Sequence, residues 1–181
     1  MRIDFYPAGE DCLLILTGLG GDTKGYSDKY VKIAENVVKK YNFSVAVAGV
    51  PRDLWDRHKE VFCEAVNGVY SGVNPKKLYI FGNSAGGTIA IWYAYLFPQI
   101  DRVLAVNPVL NLNYHNAKDG AEKFAGSCMH IVCGEYDSSA TWQQLIPEKN
   151  NVKRHILRGV DHLFSEKTDE FISLPELLFT N

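Results

Sequence analysis

Hydrophobic residues in this chain form seven short runs separated by longer stretches of mixed character. The runs are rich in Val, Ile and Leu and show little alternation with polar residues, a pattern that is typical of strands buried on both faces. We therefore predict strands over residues 2–6, 12–17, 43–48, 78–81, 102–106, 128–133 and 154–157.

Between the predicted strands, apolar residues recur at helical spacing. This pattern predicts helices over residues 27–41, 53–70, 85–97 and, more weakly, 138–145, with a last one beginning near Pro175. Ser27 is a candidate cap for the first helix, and Pro98 ends the third. Alternation of strands and helices favours an α/β fold, with a mostly parallel central sheet of about seven strands and helices on both faces.

Length, composition and charge narrow the class of protein. The chain has 181 residues and no linker-like stretch, so we expect one domain over residues 1–181. Lys and Arg number 19 against 21 Asp and Glu, and the two signs are interspersed, which argues against a nucleic-acid-binding surface. The longest aliphatic run, 12–16, is too short to span a bilayer, and the N-terminus lacks the order of a signal peptide. We expect a cytoplasmic protein that binds neither nucleic acid nor membranes.

The sequence contains no recognisable metal or cofactor motif. Its four cysteines include no C-x-x-C pair and are expected to be reduced and buried: Cys12, Cys63, Cys128 and Cys133. There is no H-E-x-x-H motif and no Asp/His cluster. The glycine-rich stretch GLGGDTKG, residues 18–25, matches neither the phosphate-loop nor the dinucleotide-binding pattern. We therefore predict neither a metal nor a cofactor.

One serine lies where a predicted strand turns into a predicted helix. Residues 82–86 read Gly-Asn-Ser-Ala-Gly, which fits G-x-S-x-G in the strand–turn–helix context that this motif requires. Such a turn strains the backbone of Ser84 and exposes its hydroxyl above the sheet, while the flanking glycines avoid collisions. The N-terminus of the following helix offers backbone N–H donors beside the serine, the first of which belongs to Ala85. Small residues here can also serve packing alone.

A serine hydroxyl is a weak nucleophile, so a catalytic role requires a base and a carboxylate that orients the base. Asp137 follows the strand in MHIVCGEYD, and His162 follows the strand in HILRGVDH. Both lie in loops at the carboxyl ends of predicted parallel strands, where such loops converge. Asp137 could instead cap the helix over 138–145, and Glu135 is a rival acid two residues earlier.

The motifs GNSAGG, GEYD and GVDH, in this order, resemble those of the α/β-hydrolase superfamily, and the resemblance covers nearly the whole chain. It implies Ser84 as nucleophile, His162 as general base and then acid, and Asp137 as the residue that holds the imidazole. The loop TGLGGD occupies the place of the family's His-Gly loop, so the N–H groups of Leu19 and Ala85 are expected to form the oxyanion hole. Thr17 stands where histidine is common in the family.

A serine with these partners is expected to cleave small carboxylic esters or thioesters through an acyl-enzyme. The stretch between Asn107 and Cys128 is too short for a substantial helical lid, which favours small acyl substrates. Leu112, Tyr114 and His115 in that stretch are candidate substrate-binding residues. Two other functions fit the same sequence: an acyltransferase that uses the same triad, and a non-catalytic binding protein on this fold.

Overall fold

The structure is a computed structural model that describes residues 1–180 and contains one seven-stranded sheet. The strands are β1 (Ile3–Tyr6), β2 (Cys12–Leu19), β3 (Ser44–Val50), β4 (Leu78–Asn83), β5 (Ile100–Val106), β6 (Cys128–Gly134) and β7 (Val152–Leu157). Their spatial order is β1-β3-β2-β4-β5-β6-β7, with β1 antiparallel to β3 and every other neighbouring pair parallel. The sheet predicted from the hydrophobic runs is therefore confirmed.

Helices cover both faces of this sheet. They are α1 (Lys29–Tyr41), α2 (His58–Gly72), α3 (Ala85–Tyr93), α4 (Tyr114–Lys123), α5 (Ala140–Gln143) and α6 (Thr168–Ser173). Buried residues of α2, α3 and α4 form the core on one face, and those of α1 and α6 form the core on the other. Among the described residues, no helix is both long and apolar enough to cross a membrane.

The parallel strands explain why the candidate site residues lie together at the carboxyl ends of the strands. In β2, residues 12–17 are completely buried, as expected for a strand with helices on both sides. Because β2 to β7 are parallel, the loops that follow them meet at a single edge. The segments that carry Leu19, Ser84, Asn107, Asp137 and His162 all lie at or just beyond that edge.

Helix boundaries differ from the prediction in ways that have local causes. The first helix begins at Lys29, after a short 3₁₀ turn over Tyr26–Asp28, and Ser27 adopts φ 54° without capping it. The second begins at His58, after a 3₁₀ turn over Trp55–Arg57. In both places a 3₁₀ turn comes directly before the α-helix. The apolar spacing that predicted the helix therefore starts at or just before this turn, a few residues before the α-helix itself begins.

Helix α4 was not predicted, and the reason is the small size of its buried residues. Its buried positions are Ala117, Gly120 and Ala121, which produce almost no hydrophobic pattern. A Cβ atom on Gly120 would lie 2.0 Å from the carbonyl oxygen of Ile91, so glycine allows α4 to press against α3. The side chain of Asn113 caps α4 by accepting the N–H of Asn116. The segment between β5 and β6 is thus a packed helix and not an irregular connection.

Candidate active site

Ser84 occupies a strained turn between β4 and α3. Its backbone has φ 53° and ψ −117°, a region that side-chain-bearing residues rarely adopt. A Cβ atom on Gly82 would lie 2.5 Å from the carbonyl oxygen of Gly86, and one on Gly86 would lie 2.3 Å from that of Leu16. Larger residues at these two positions would therefore force the strand and helix apart. The strained backbone expected at Ser84 is confirmed.

Ser84, His162 and Asp137 form a continuous hydrogen-bonded chain. The hydroxyl oxygen of Ser84 lies 3.0 Å from Nε2 of His162. Nδ1 of the same imidazole is hydrogen-bonded to Oδ2 of Asp137. The Asp137 side chain is 1% exposed, whereas that of His162 is 41% exposed. The arrangement joins a buried carboxylate, a partly exposed imidazole and a serine hydroxyl, in the order that proton transfer from the serine requires.

The second oxygen of Asp137 also has a partner, so this buried carboxylate is well satisfied. Oδ1 accepts the backbone N–H of Ser139 at 2.6 Å. The rival acid, Glu135, is exposed and accepts the backbone N–H of Gly159 at 2.9 Å. Asp137 and not Glu135 contacts His162, as the resemblance implied. The Asp137 carboxylate thus has two roles: one oxygen closes the turn before α5 through Ser139, and the other contacts the imidazole of His162.

The loop after β2 lies directly beside the serine. A Cβ atom on Gly18 would be 3.6 Å from Cβ of Ser84, and Leu19 is 37% exposed at the sheet edge. The pairing of β2 with β3 shifts register between Leu16 and Leu19, which bends the strand end into this loop. On the other side of the serine, Ala85 is the first residue of α3, so its N–H has no partner within the helix. The two segments expected to supply oxyanion donors thus flank Ser84.

Thr17 shapes the loop at the position where the family commonly has histidine. It is completely buried. Its hydroxyl lies 3.1 Å from the carbonyl oxygen of Gly18 and 3.2 Å from that of Gly21, and it accepts the backbone N–H of Val50 at 3.2 Å. Threonine therefore closes the glycine-rich turn from within and ties it to β3.

Tyr30 connects the loop after β2 to the serine turn, a role that the sequence did not reveal. Its phenolic oxygen accepts the side-chain N–H of Asn83 at 3.1 Å. The same Asn83 nitrogen lies beside the loop after β2, since a Cβ atom on Gly18 would be 3.6 Å from it. Burial raises the pKa of Tyr30 to about 12, so the phenol keeps its proton at neutral pH. In the sequence, Tyr30 is one of several apolar residues at helical spacing in α1 and carries no signal beyond packing.

Asn107 connects the loops that carry Asp137 and His162. Its side-chain nitrogen donates to the carbonyl oxygens of Asp161 and His162, at 3.1 and 3.0 Å. Its side-chain oxygen accepts the backbone N–H of Gly134 at 2.7 Å. Asn107 is completely buried and has φ 44°, a conformation that asparagine tolerates better than most residues. The sequence offered one sign of this role, namely that Asn107 directly follows a predicted parallel strand.

Asp161 organises the His162 loop. Its Oδ1 accepts the backbone N–H groups of Leu163 and Ser165 at 3.1 and 3.0 Å, and Oδ2 accepts the Ser165 hydroxyl at 2.6 Å. The hydroxyl and the backbone donors hold the pKa of Asp161 below its usual value. The Asp161 carboxylate therefore bonds to its own loop, and the imidazole of His162 bonds to Asp137.

The three candidate substrate-binding residues lie at the start of α4 and just before it. Leu112 is 59% exposed, and His115 is exposed with its ring 5.1 Å from that of Tyr114. The hydroxyl of Tyr114 donates to the carbonyl oxygen of Leu145 at 3.2 Å, and its ring packs against the core. Tyr114 thus joins α4 to the segment after α5. Substrate contact by any of the three stays a prediction.

Within residues 1–180, no group of three or more His, Cys, Asp or Glu side chains has an arrangement that could hold a metal ion. The four cysteines are free thiols: Cys12, Cys63, Cys128 and Cys133. Cys12 and Cys133 are buried, and burial raises the pKa of each thiol, that of Cys12 to about 12. Cys63 and Cys128 are partly exposed, so the expectation of burial is met by two of the four.

Comparisons with known proteins agree on the fold. No protein-family model and no curated protein matches the sequence. Est1E from Butyrivibrio proteoclasticus aligns with a TM-score of 0.76 over 98% of this chain and 91% of its own, at 13% identity. A monoacylglycerol lipase from Paleococcus ferrophilus gives a TM-score of 0.73 over 98% and 97%, at 15% identity. An alpha-beta serine hydrolase homologue from Coxiella burnetii gives 0.72 over 98% and 91%, at 13% identity. The chain therefore has the α/β-hydrolase fold.

Proposed function

We propose that this protein is a serine hydrolase that cleaves small carboxylic esters or thioesters through an acyl-enzyme on Ser84. The observation that carries this proposal is the hydrogen-bonded chain from Ser84 through His162 to the buried Asp137. It is supported by the strained turn that presents the serine and by the two backbone segments that flank it. Apart from the substrate and water, the proposed chemistry uses only groups of the chain.

In the first half of the proposed reaction, the Ser84 oxygen attacks the carbonyl carbon while Nε2 of His162 takes the hydroxyl proton. The carbonyl oxygen becomes an oxyanion, which the N–H groups of Ala85 and Leu19 would stabilise. Collapse of this intermediate breaks the bond to the leaving oxygen or sulfur, which receives the proton from His162. Asp137 stabilises the imidazolium throughout.

In the second half, water replaces the leaving group. His162 takes a proton from water as the water oxygen attacks the acyl carbon, and the same two N–H groups would stabilise the new oxyanion. Release of the acid breaks the bond to Ser84 and returns the proton to the serine oxygen. Because His162 is partly exposed, water has direct access to the imidazole.

Labelling with a fluorophosphonate probe and hydrolysis of p-nitrophenyl acetate test this proposal. The wild-type protein is expected to react with the probe and to hydrolyse the ester. Ser84→Ala is expected to lose labelling and to lower kcat by at least about 10³-fold. Unchanged hydrolysis by Ser84→Ala would overturn the assignment of the nucleophile.

A matched pair of variants tests the acid. Asp137→Asn is expected to lower kcat by about 10⁴-fold, because an amide no longer holds the imidazole in the required tautomer. Glu135→Gln removes an exposed carboxylate that contacts only the Gly159 N–H and should change kcat by less than about twofold. The reverse order of effects would assign the acid to Glu135.

A further inference from the structure

A cavity of about 350 Å³ lies between the start of α1 and the loop that leads from His162 into α6. Tyr26, Leu163, Phe164 and Phe171 supply most of its wall, and Lys29 is the basic residue in its lining. This volume falls in the range of small-ligand sites, which combine mainly apolar walls with a few polar groups. The cavity therefore has the size and lining of a binding site for a small molecule with an apolar body.

The Lys29 ammonium group has no acidic partner in the described part of the chain. Its Nζ lies 4.2 Å from the ring centroid of Phe171 and 5.1 Å from that of Tyr30, and residues 1–180 provide it with no ion pair or hydrogen bond. Burial lowers the pKa of Lys29, and no carboxylate opposes that effect. By contrast, Lys40, Lys76 and Lys123 each form an ion pair. Such a cation can form a charge-assisted hydrogen bond with an anionic group that enters the cavity.

The rim of this cavity is held in a defined shape. Gly25, Ser27 and Asp28 have φ values of 71°, 54° and 56°, so three of four successive residues adopt left-handed or related conformations. Oδ1 of Asp22 accepts the backbone N–H groups of Lys24 and Gly25, at 2.9 and 2.6 Å, which fixes the start of the turn. The turn places Tyr26, which is 82% exposed, at the cavity edge. Backbone strain of this kind is common at ligand sites.

Part of the cavity wall belongs to the loop that carries His162. Leu163 and Phe164 follow His162 directly in the chain and line the cavity. In the proposed reaction His162 delivers its proton to the leaving oxygen or sulfur, so the leaving group lies next to this loop when the bond breaks. The occupant that the position favours is therefore the alcohol or thiol part of the substrate.

The geometry points to a leaving-group site selective for anions: the cavity binds the apolar body of the alcohol or thiol, and Lys29 binds a carboxylate at its far end. This inference rests on the proposed function, because it assigns the substrate class of the same site. Lys29 is a specificity-determining residue here and takes no part in bond making or breaking. A lysine that serves only to cover Phe171 would show no preference for charge in the leaving group.

Two acetate esters with the same shape but different charge test the inference. They are 4-acetoxybenzoate, which is anionic, and its neutral methyl ester. The informative quantity is the ratio of kcat/KM for the anionic ester to that for the neutral ester, because the intrinsic reactivities of the two esters cancel when this ratio is compared between variants. Lys29→Gln is expected to lower the ratio about tenfold, as expected for loss of one charge-assisted hydrogen bond.

Two further variants control this experiment. Lys29→Arg keeps the charge and is expected to retain most of the preference for the anionic ester. Lys32→Gln removes an exposed lysine of the same helix, with the same change in net charge, and should leave the ratio within about twofold of wild type. Equal ratios in wild type and Lys29→Gln would overturn the inference, as would an equal loss in Lys32→Gln.

A binding experiment separates failure of this inference from failure of the proposed function. NMR titration of Ser84→Ala with 4-hydroxybenzoate, the product of the anionic ester, is expected to shift resonances of residues around the cavity. Adding Lys29→Gln to Ser84→Ala should raise Kd about tenfold, and adding Lys32→Gln should not. Binding that depends on Lys29, together with a wild-type protein that hydrolyses neither ester, would overturn the proposed function and leave the anion site standing. Hydrolysis without such binding would overturn the anion site alone.

Discussion

The phenolic oxygen of Tyr30 lies 3.1 Å from the side-chain nitrogen of Asn83, the residue that precedes Ser84. A Cβ atom on Gly18, in the loop after β2, would lie 3.6 Å from the same nitrogen. One buried hydroxyl of α1 therefore holds the amide that lies between the serine turn and the loop expected to supply an oxyanion donor. The distance between nucleophile and oxyanion donors depends on these two segments, so Tyr30 is a positioning residue for the proposed reaction.

Tyr30→Phe is expected to lower both stability and kcat. Removal of the hydroxyl leaves the partly buried Asn83 amide without its acceptor, which costs about 1–3 kcal/mol of unfolding free energy. Loosening the two segments should lower kcat about tenfold with little change in KM, because the loss affects the transition state. Urea unfolding and hydrolysis of p-nitrophenyl acetate measure the two effects.

Tyr70→Phe is the matched control for that experiment. The hydroxyl of Tyr70 is buried and has no hydrogen-bond partner within residues 1–180. Its removal should therefore leave the unfolding free energy unchanged or slightly higher, and should not affect kcat. If Tyr30→Phe behaved like Tyr70→Phe, the hydrogen bond of Tyr30 would have no role in positioning.

Asn107 provides a second test of how the site is held together. Asn107→Gly keeps the positive φ of 44° accessible but removes three side-chain hydrogen bonds. We expect a loss of about 3 kcal/mol of unfolding free energy and a fall in kcat/KM, because the His162 loop loses its connection to Gly134. Asn107→Asp should lower kcat/KM further, since its carboxylate would face the carbonyl oxygens of Asp161 and His162.

Asn74→Gly controls for the backbone effect of that substitution. Asn74 also has a positive φ, 50°, but it is exposed. Replacing it with glycine should change the unfolding free energy by less than about 0.5 kcal/mol and leave kcat/KM unchanged. A comparable loss in both variants would assign the effect to the backbone and not to the Asn107 amide.

The sequence predicted the sheet and the three residues of the hydrogen-bonded chain because both leave local signals. Strands buried on both faces appear as continuous apolar runs, and residues that follow parallel strands must converge at one edge. Ser84, Asp137 and His162 each stand in a glycine-marked turn after such a run. Their order along the chain then identified the fold.

Other parts of the site depend on partners that are distant in the sequence. Tyr30 contacts Asn83, 53 positions away, and its place in α1 resembles ordinary core packing. Helix α4 was missed because Gly120 and its neighbouring alanines create close packing with little hydrophobic contrast. Hydrophobic periodicity detects large buried side chains, so it overlooks elements that pack through small ones.

Two neighbouring histidines, the buried His130 and the half-buried His155, predict how stability depends on pH. Nδ1 of His130 lies 2.8 Å from Nε2 of His155, and Nε2 of His130 lies 3.1 Å from Sγ of Cys128. Burial is the main cause that lowers the pKa of His130 to about 4, and the neighbouring His155, Lys153 and Arg102 contribute to the same shift. The pKa of His155 is also lowered by burial. Both rings are therefore neutral in the folded protein at neutral pH.

The sign of the effect follows from the unfolded state, in which histidine has a pKa of about 6.5. The contribution of His130 to the unfolding free energy is fully present above pH 6.5 and is lost as pH falls toward about 4. The reason is that His130 binds a proton more strongly in the unfolded chain than in the folded protein over this range. Between pH 7.5 and pH 5 this loss is about 2 kcal/mol. In urea unfolding, His130→Gln should show a pH dependence shallower by that amount, and His115→Gln, at an exposed position, should not. Identical pH profiles for wild type and His130→Gln would contradict the prediction.

The last prediction concerns acyl-chain length and follows from the packing of α4. This helix fills the segment between β5 and β6, which is too short for a substantial lid, and its Gly120 is pressed against the backbone of α3 at Ile91. A helix held this closely belongs to the layer that covers the sheet. Leu112, which precedes it, is 59% exposed, and His162 remains 41% exposed. The acyl group of a bound ester would therefore extend from Ser84 toward water.

Burial of a methylene group contributes about 0.8 kcal/mol, which an enzyme can use only if the chain is covered in the transition state. At an open site, methylenes beyond the first few stay in water and add nothing to transition-state binding. We expect kcat/KM for p-nitrophenyl esters to peak between acetyl and butyryl and to be flat or lower by octanoyl, with no activation above the critical micelle concentration. The rates are measured over that series with Ser84→Ala as the blank. A steady rise from butyryl to octanoyl would mean that another segment or a second molecule covers the acyl chain, since α4 is already packed against α3.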